Sequence, residues 1–296
     1  MNLFPDNKKH IFYGSFIIAE CFLWGIGNPL IKIAFYGIPV FYLLFLRFFL
    51  SFMLFMLIFG KKIMGRIKLI NPFHHTLIGL FTAGAFICCN LALKITSSIT
   101  AGFLMSLAVV FTPFISRFLL KTSIKPQIFG FIAIILAGMY FLCMQGEKLS
   151  FGMGEFLAVM SSVFIAVAMV LTEKYSYELD PVTISTSQSL ITSLACLIFA
   201  LVFESAPDFK SVELIDEYMI IVYLAVGCTF VSYLLQNMAL SKLPATYISL
   251  AFCSEPIFTA IFSNIILGET LSPIGFFGAG LIIIGICLAS LLPHAF

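Results

Sequence analysis

Charged residues are scarce in this 296-residue chain, where they make up only 10% of the sequence. A soluble globular protein carries roughly 25% charged residues, so the composition excludes the soluble class. Hydrophobic residues make up 61% of the chain, and phenylalanine alone occurs 35 times. A soluble core could not hide so much apolar surface, whereas lipid solvates it. The composition therefore indicates an integral membrane protein.

Patterns that would support enzymatic chemistry are also missing. The four histidines lie near predicted loops or chain ends, and none has the spacing of an HExxH zinc site. A GxxxxGK[ST] phosphate loop is absent, which argues against ATP-driven transport, and no basic patch supports nucleic-acid binding. All eight cysteines fall inside apolar runs, which favours packing over disulfides or metal ligation. We expect no enzyme activity, no catalytic residue, no metal and no cofactor.

Long apolar runs dominate what is present. Runs of about 20 apolar residues are typical of transmembrane helices, and they are too long and continuous for the alternating strands of a barrel. Ten runs fit this description: 11–35, 38–59, 76–93, 98–119, 127–145, 154–173, 182–203, 218–240, 245–267 and 274–292. The sequence thus predicts an all-α protein with ten transmembrane helices and no separate soluble domain.

Lysine and arginine in the short loops predict the orientation of these helices. With the N terminus inside, the inner segments hold eleven of these residues and the outer loops hold only Lys94, Lys148 and Lys210. The outer loop at 204–217 is also acidic. Both termini are therefore expected in the cytoplasm.

The two halves of the chain resemble each other. Asn90-Leu91-Ala92-Leu93 is similar to Asn237-Met238-Ala239-Leu240, and the same offset of 147 residues relates Pro126 to Pro273. Five helices per half is an odd number, so the second copy must enter the membrane from the opposite side. Inverted repeats of this kind are common in secondary transporters.

We place the two repeats at residues 1–148 and 149–296, together forming one transmembrane domain. In this alignment Thr112-Pro113 and Glu255-Pro256 fall in corresponding helices, shifted by four residues. The carboxylate is thus not duplicated, because the first repeat has threonine where the second has glutamate.

Three ionisable residues lie near the middle of predicted spans, where charged groups are costly and often functional. Glu20, Arg47 and Glu255 each lie about ten residues into their helices, close to the midplane at ~1.5 Å per residue. One interpretation is that Arg47 pairs with a glutamate and only holds helices together. In the other, the carboxylates line a water-filled cavity and bind a substrate ammonium or protons.

Further polar and aromatic residues accompany them. Glu20, Trp24 and Asn28 are four residues apart and share one face of the first helix. Trp24 is too deep to anchor the membrane surface, so a place in a cavity wall is expected. Pro29 should kink this helix. Asn90 and Tyr233 are polar at depth in other spans, and they complete the set of candidate substrate-binding residues.

Four stretches resemble EamA-type proteins of the drug/metabolite transporter superfamily. They are FLWGIGNPLIKIA at 22–34, FYLLFLRFFLSF at 41–52, and the two matching stretches 90–121 and 237–273. The resemblance implies ten helices in two inverted repeats, a central cavity, alternating access without ATP, and a bacterial inner-membrane location. Trp24, Asn28, Arg47 and Glu255 fall on positions that recur in that family, whereas Glu20 does not.

From these features we expect a secondary transporter for small organic metabolites, most simply an exporter of amino acids or related zwitterions. Its expected partners are the substrate and the lipid bilayer, with protons as a coupling ion left open, and it is expected to be a monomer or homodimer. The alternatives are a transporter of larger nucleoside-like metabolites or cationic drugs, and a membrane receptor or scaffold that transports nothing.

Overall fold

A computed structural model describes residues 6–66, 71–144, 152–176, 180–205, 214–269 and 272–291. All regular elements within these ranges are helical. The α-helices are α1 (Asp6–Ala34), α2 (Val40–Arg66), α3 (Pro72–Ile95), α4 (Ser98–Ser106), α5 (Ala108–Leu120), α6 (Pro126–Met144), α7 (Met153–Tyr175), α8 (Pro181–Phe203), α9 (Leu214–Ala225), α10 (Ser232–Leu240), α11 (Ala245–Phe252), α12 (Glu255–Leu267) and α13 (Pro273–Leu291). A π-helical segment, Val226–Val231, joins α9 to α10.

These helices group into membrane spans that follow the apolar runs of the sequence. Eight spans are long and apolar enough to cross a bilayer, counting α4–α5, α9–α10 and α11–α12 as one span each. Two shorter apolar helices, Pro126–Phe141 and Pro273–Leu288, bring the number to ten. The prediction of an all-α, ten-helix membrane protein is confirmed.

Local capping chemistry explains where several helices begin. Asn71 accepts a hydrogen bond from the Phe73 N–H at the start of α3, and Asp180 does the same for Val182 at the start of α8. Each cap is followed by proline at the first helical position, where the missing N–H leaves no bond unmade. α1 runs as one continuous helix through Pro29, so the expected kink does not divide it.

Three predicted spans are interrupted inside the membrane, which the apolar pattern did not reveal. The fourth is broken at Leu107 and the ninth at Cys253 and Ser254, in each case by a tight turn with i→i+3 hydrogen bonds. The eighth contains the π-helical segment. Pro256 lies in the first turn of α12, directly after the second break.

The two breaks are equivalent in the repeats. α4 and α5 begin at Ser98 and Ala108, and α11 and α12 begin 147 residues later at Ala245 and Glu255. The helices that follow each break also end in register, at the left-handed residues Lys121 and Gly268.

This register corrects the expected correspondence of Thr112 with Glu255. The first-repeat equivalent of Glu255 is Ala108, and Thr112 lies one turn further along α5. The four-residue shift seen in the sequence is therefore real, and Thr112 does not take the place of Glu255 because the two prolines occupy different places in their helices.

Close approach of α1 to α12 brings the two halves together around the centre. A Cβ atom added to Gly25 would lie 2.8 Å from the backbone carbonyl carbon of Phe258 and 3.0 Å from the Thr259 nitrogen. Real Cβ atoms do not approach backbone so closely, so only glycine permits this contact. The contact places the polar face of α1 directly beside the start of α12.

Candidate substrate-binding site

A central cavity lies between the two halves, at the level of both helix breaks. Its volume is about 50 Å³, which holds a few water molecules at about 10–15 Å³ each. Five of the seven candidate residues line it, namely Trp24, Asn28, Arg47, Asn90 and Glu255. Glu20 and Tyr233 are absent from its lining.

Glu255 occupies the first position of α12, where the chain restarts after the break. Its side chain is only 7% exposed. Oε1 accepts a hydrogen bond of 3.0 Å from Asn28 Nδ2, and Asn28 also donates to Thr259 Oγ1 at 3.0 Å. The unpaired N–H groups and positive dipole end of a helix favour a negative group at this position. The break therefore gives the carboxylate a polar setting inside an apolar span.

Arg47 is 3% exposed and forms its bonds with the π-helical segment rather than with a carboxylate. Its Nε donates to Thr229 Oγ1 at 2.6 Å and its Nη2 donates to the Cys228 carbonyl at 2.9 Å. The guanidinium also lies 5.0 Å from the centre of the Phe86 ring, a cation–π distance.

None of the ion pairs found among the described residues joins Arg47 to Glu20 or Glu255. The interpretation of Arg47 as one half of a charge pair is therefore wrong. Arg47 and Glu255 both line the central cavity, as a guanidinium and a carboxyl group that are not joined to each other.

The π-helical segment supplies the carbonyl that Arg47 needs. In a regular α-helix the Ser232 N–H would bond to the Cys228 carbonyl, but here it reaches back to Gly227 instead. The freed Cys228 oxygen accepts from Arg47 and also from Trp24 Nε1, at 2.7 Å. One change of helical register thus positions two side chains of the first repeat.

Aromatic rings form the apolar wall of the cavity. Trp24 stacks on Phe252, with 5.6 Å between ring centres, and meets Phe86 edge-on at 5.8 Å. Asn90 adds a polar group, because its Nδ2 donates to the Phe86 carbonyl while its buried Oδ1 has no partner. This acceptor is available to a ligand inside the cavity.

Glu20 and Tyr233 are buried outside the lining of this cavity. Glu20 is 0% exposed, and neither of its carboxyl oxygens has a hydrogen-bond partner. It shares the face of α1 with Trp24 and Asn28, as its spacing predicted. Tyr233 borders a neighbouring cavity, and its hydroxyl is also buried without a partner.

Several residues that build the site were missed from the sequence. Phe86 and Phe252 were indistinguishable there from lipid-facing phenylalanines. Thr229 and the Cys228 carbonyl depend on the π-helical register, for which no sequence signal was found. Gly25 could have been noticed, because a glycine inside a long helix suggests close packing of another backbone.

Comparison with known proteins identifies the family to which this chain belongs. The profile of the EamA-like transporter family matches the chain twice, over residues 12–144 and 152–291. The chain belongs to the EamA-like transporter family. The two matches cover the two halves of the chain, and a transporter family suits a cavity among apolar helices that is lined by Arg47 and Glu255.

Relatives of this EamA-family chain are described as transporters. It is 25% identical to an uncharacterized transporter of Archaeoglobus fulgidus, over 97% of this chain and 88% of the archaeal protein. It is 27% identical to the uncharacterized transporter YyaM of Bacillus subtilis, over 72% of this chain and 70% of that protein. The threonine/homoserine exporter RhtA of Escherichia coli is 27% identical over 55% of each chain.

A solved crystal structure shows the same fold. It superposes with a TM-score of 0.78 and covers 95% of this chain and 97% of its own, at 18% sequence identity. At this identity the match shows the architecture and says nothing of the substrate.

Proposed function

We propose that this EamA-family protein is a secondary transporter that exports small amino acids or related zwitterions by alternating access, without ATP and without enzymatic activity. The observation that carries the proposal is the placement of the Glu255 carboxyl group and the Arg47 guanidinium around one buried cavity, without an ion pair between them. The likeness to a threonine/homoserine exporter supports the same substrate class.

A zwitterion matches the charges of this cavity. Its ammonium group would meet the Glu255 carboxylate, which Asn28 already orients. Its carboxylate would meet Arg47, whose guanidinium is held by Thr229 and the Cys228 carbonyl. Charge-assisted hydrogen bonds of this kind are strong in a buried setting. A substrate carrying both charges would thus neutralise both ends of the site together.

The size of the cavity bears on the alternatives. At about 50 Å³ it must widen even for a small amino acid, and far more for a nucleoside-like metabolite or a bulky cationic drug. The helix breaks beside it are places where spans can bend. A receptor or scaffold would need no cavity reached by Glu255, so the cavity favours transport.

Glu20 is the residue that we propose couples transport to a proton gradient. A buried carboxyl without a partner is costly when ionised, so we assign to Glu20 a proton in the conformation described here. Release of that proton when the helices open would couple substrate movement to a proton gradient. We place the protein in a bacterial inner membrane with both termini in the cytoplasm, as a monomer or homodimer.

Transport into proteoliposomes tests the proposal. The purified protein should exchange radiolabelled threonine or homoserine across the membrane, and Glu255→Gln should lower the initial rate by more than about twentyfold, because it removes the charge that meets the ammonium. Glu269→Gln is the matched control, since Glu269 pairs with Lys32 outside the cavity, and it should keep the rate within about twofold. Exchange that is unaffected by Glu255→Gln would refute the proposal.

A further inference from the structure

A second, smaller cavity adjoins the central one. Its volume is about 30 Å³, room for about two water molecules. The two cavities share a septum of five lining residues, Trp24, Ala85, Phe86, Ile165 and Met169. The second cavity extends toward the end of α7 at Tyr175 and of α10 at Leu240. These ends face the side predicted to be cytoplasmic.

The inverted repeat relates the two cavities. Arg47 lies seven residues after the start of α2, and Gln188 lies seven residues after the start of the equivalent helix α8. A separation of 141 residues relates lining residues of the central cavity to lining residues of the second: Gly27 to Ala168, Ile31 to Thr172, and Arg47 to Gln188. The second cavity is thus built from the repeat-equivalent positions of the first.

The hydrogen bonds behind these residues are equivalent as well. Thr229 accepts from Arg47 Nε, and Thr82, which is 147 residues earlier, accepts from Gln188 Nε2 at 3.1 Å. The Gln188 Oε1 atom in turn accepts from Asn237 Nδ2 at 2.7 Å. Both equivalent positions therefore donate a hydrogen bond to a threonine, but Gln188 has a neutral amide where Arg47 has a guanidinium.

Unpartnered polar groups border this second cavity. Thr172 is 1% exposed and Tyr233 is 2% exposed, and the hydroxyl of each lacks a hydrogen-bond partner. Buried hydroxyls are nearly always satisfied by protein or water. Two such hydroxyls on one small cavity indicate that it holds water or a ligand group that can form hydrogen bonds. No charged side chain among the described residues lines it.

We propose that the second cavity is an uncharged binding station for the same substrate, selecting a small side chain with a hydroxyl or amide group on its way past Trp24 and Phe86 to Glu255. This inference rests on the proposed function. The station would act by exchanging the water of the cavity for hydrogen bonds from Thr172 and Tyr233. An apolar side chain of the same shape would displace that water and leave both hydroxyls unpaired.

Paired substrates and paired variants test the station. Threonine and valine have nearly the same shape, so the ratio of their transport efficiencies, kcat/KM, reports on the substrate hydroxyl. The wild type should favour threonine, and Thr172→Val and Tyr233→Phe should each lower the ratio by about tenfold, the effect of one hydrogen bond. Both variants remove a hydroxyl that bonds to nothing in the structure, so the folded protein should be no less heat-stable.

Thr192→Val is the matched control. The Thr192 hydroxyl is also fully buried and unpartnered, but it lines neither cavity. It should leave the threonine-to-valine ratio unchanged. A ratio that stays constant in Thr172→Val and Tyr233→Phe while amino-acid transport continues would overturn the station and leave the proposed function standing. Absence of any amino-acid transport by the wild type would instead refute the proposed function, and the station with it.

Discussion

The two helix breaks, α4–α5 and α11–α12, have the same backbone arrangement but different chemistry. In the first repeat the residues at the break are Leu107, Ala108 and Val109. In the second repeat they are Ser254, Glu255 and Pro256. Both breaks border the central cavity, through Ala108 on one side and Glu255 on the other.

The difference shows how a repeated backbone acquires one binding site. Two equivalent breaks supply free helix N-termini that can support a negative group, but only one copy carries a carboxylate. Asn28 of α1 bonds to that carboxylate and to Thr259 on the next turn of α12. The repeat thus provides the geometry, and a few side chains in one half make it asymmetric.

Among the variants that probe the two breaks, Gly25→Ala should have the largest effect on stability and transport. The added methyl group would collide with the backbone at Phe258 and Thr259, separating α1 from α12 and Asn28 from Glu255. Overpacking of this kind costs about 1–3 kcal/mol, so the melting temperature and the transport rate should both fall. Gly60→Ala is the control, because nothing lies near a Cβ there. Unchanged melting and transport in Gly25→Ala would contradict the close contact.

Arg47→Lys should have the next largest effect. A lysine ammonium cannot reproduce the planar guanidinium that donates to both Thr229 and the Cys228 carbonyl. At least one buried hydrogen bond to a charged group would be lost, so the transport rate should fall by more than about tenfold. Arg117→Lys, on the exposed face of α5, is the matched control and should transport normally. If Arg47→Lys also transported normally, the π-helical carbonyl would have no part in positioning the charge.

Thr112→Val should have the smallest effect. Among the described residues, the Thr112 hydroxyl bonds to the Ala108 carbonyl of its own helix and lies one turn beyond the break. The initial rate of transport should therefore stay within about twofold of the wild type. A loss as large as that in Glu255→Gln would show that Thr112, rather than Ala108, is the functional counterpart of Glu255.

The sequence predicted the helices better than it predicted the contacts between them. Apolar length alone placed nine of the ten span starts within a few residues of the observed helices, because lipid solvation demands continuous apolar runs. The breaks at Leu107 and Ser254 and the π-helical segment were missed, since a change in backbone bonding leaves the apolar pattern unaltered. The spans at 98–119, 218–240 and 245–267 were thus expected to be continuous.

Partners of the polar residues were harder to predict for a physical reason. Depth along a helix can be counted from the sequence, and it placed Glu20, Arg47 and Glu255 near one level, with Trp24 and Asn28 one and two turns beyond Glu20 on the same face of α1. Which side chains contact each other depends on the rotation and spacing of neighbouring helices. The close approach of α1 to α12 at Gly25 is an example. Arg47 therefore donates to a carbonyl instead of a carboxylate, and Glu20, although expected at similar depth, does not line the cavity.

Equilibrium binding of two matched ligands tests most directly the claim that Glu255 receives the substrate's ammonium group. The ligands are L-threonine and its 2-hydroxy-acid analogue, in which a hydroxyl replaces the ammonium. The wild type should bind threonine at least about tenfold more tightly than the analogue, and Glu255→Gln should bind the two with nearly equal affinity. Equal discrimination by the wild type and Glu255→Gln would contradict the account.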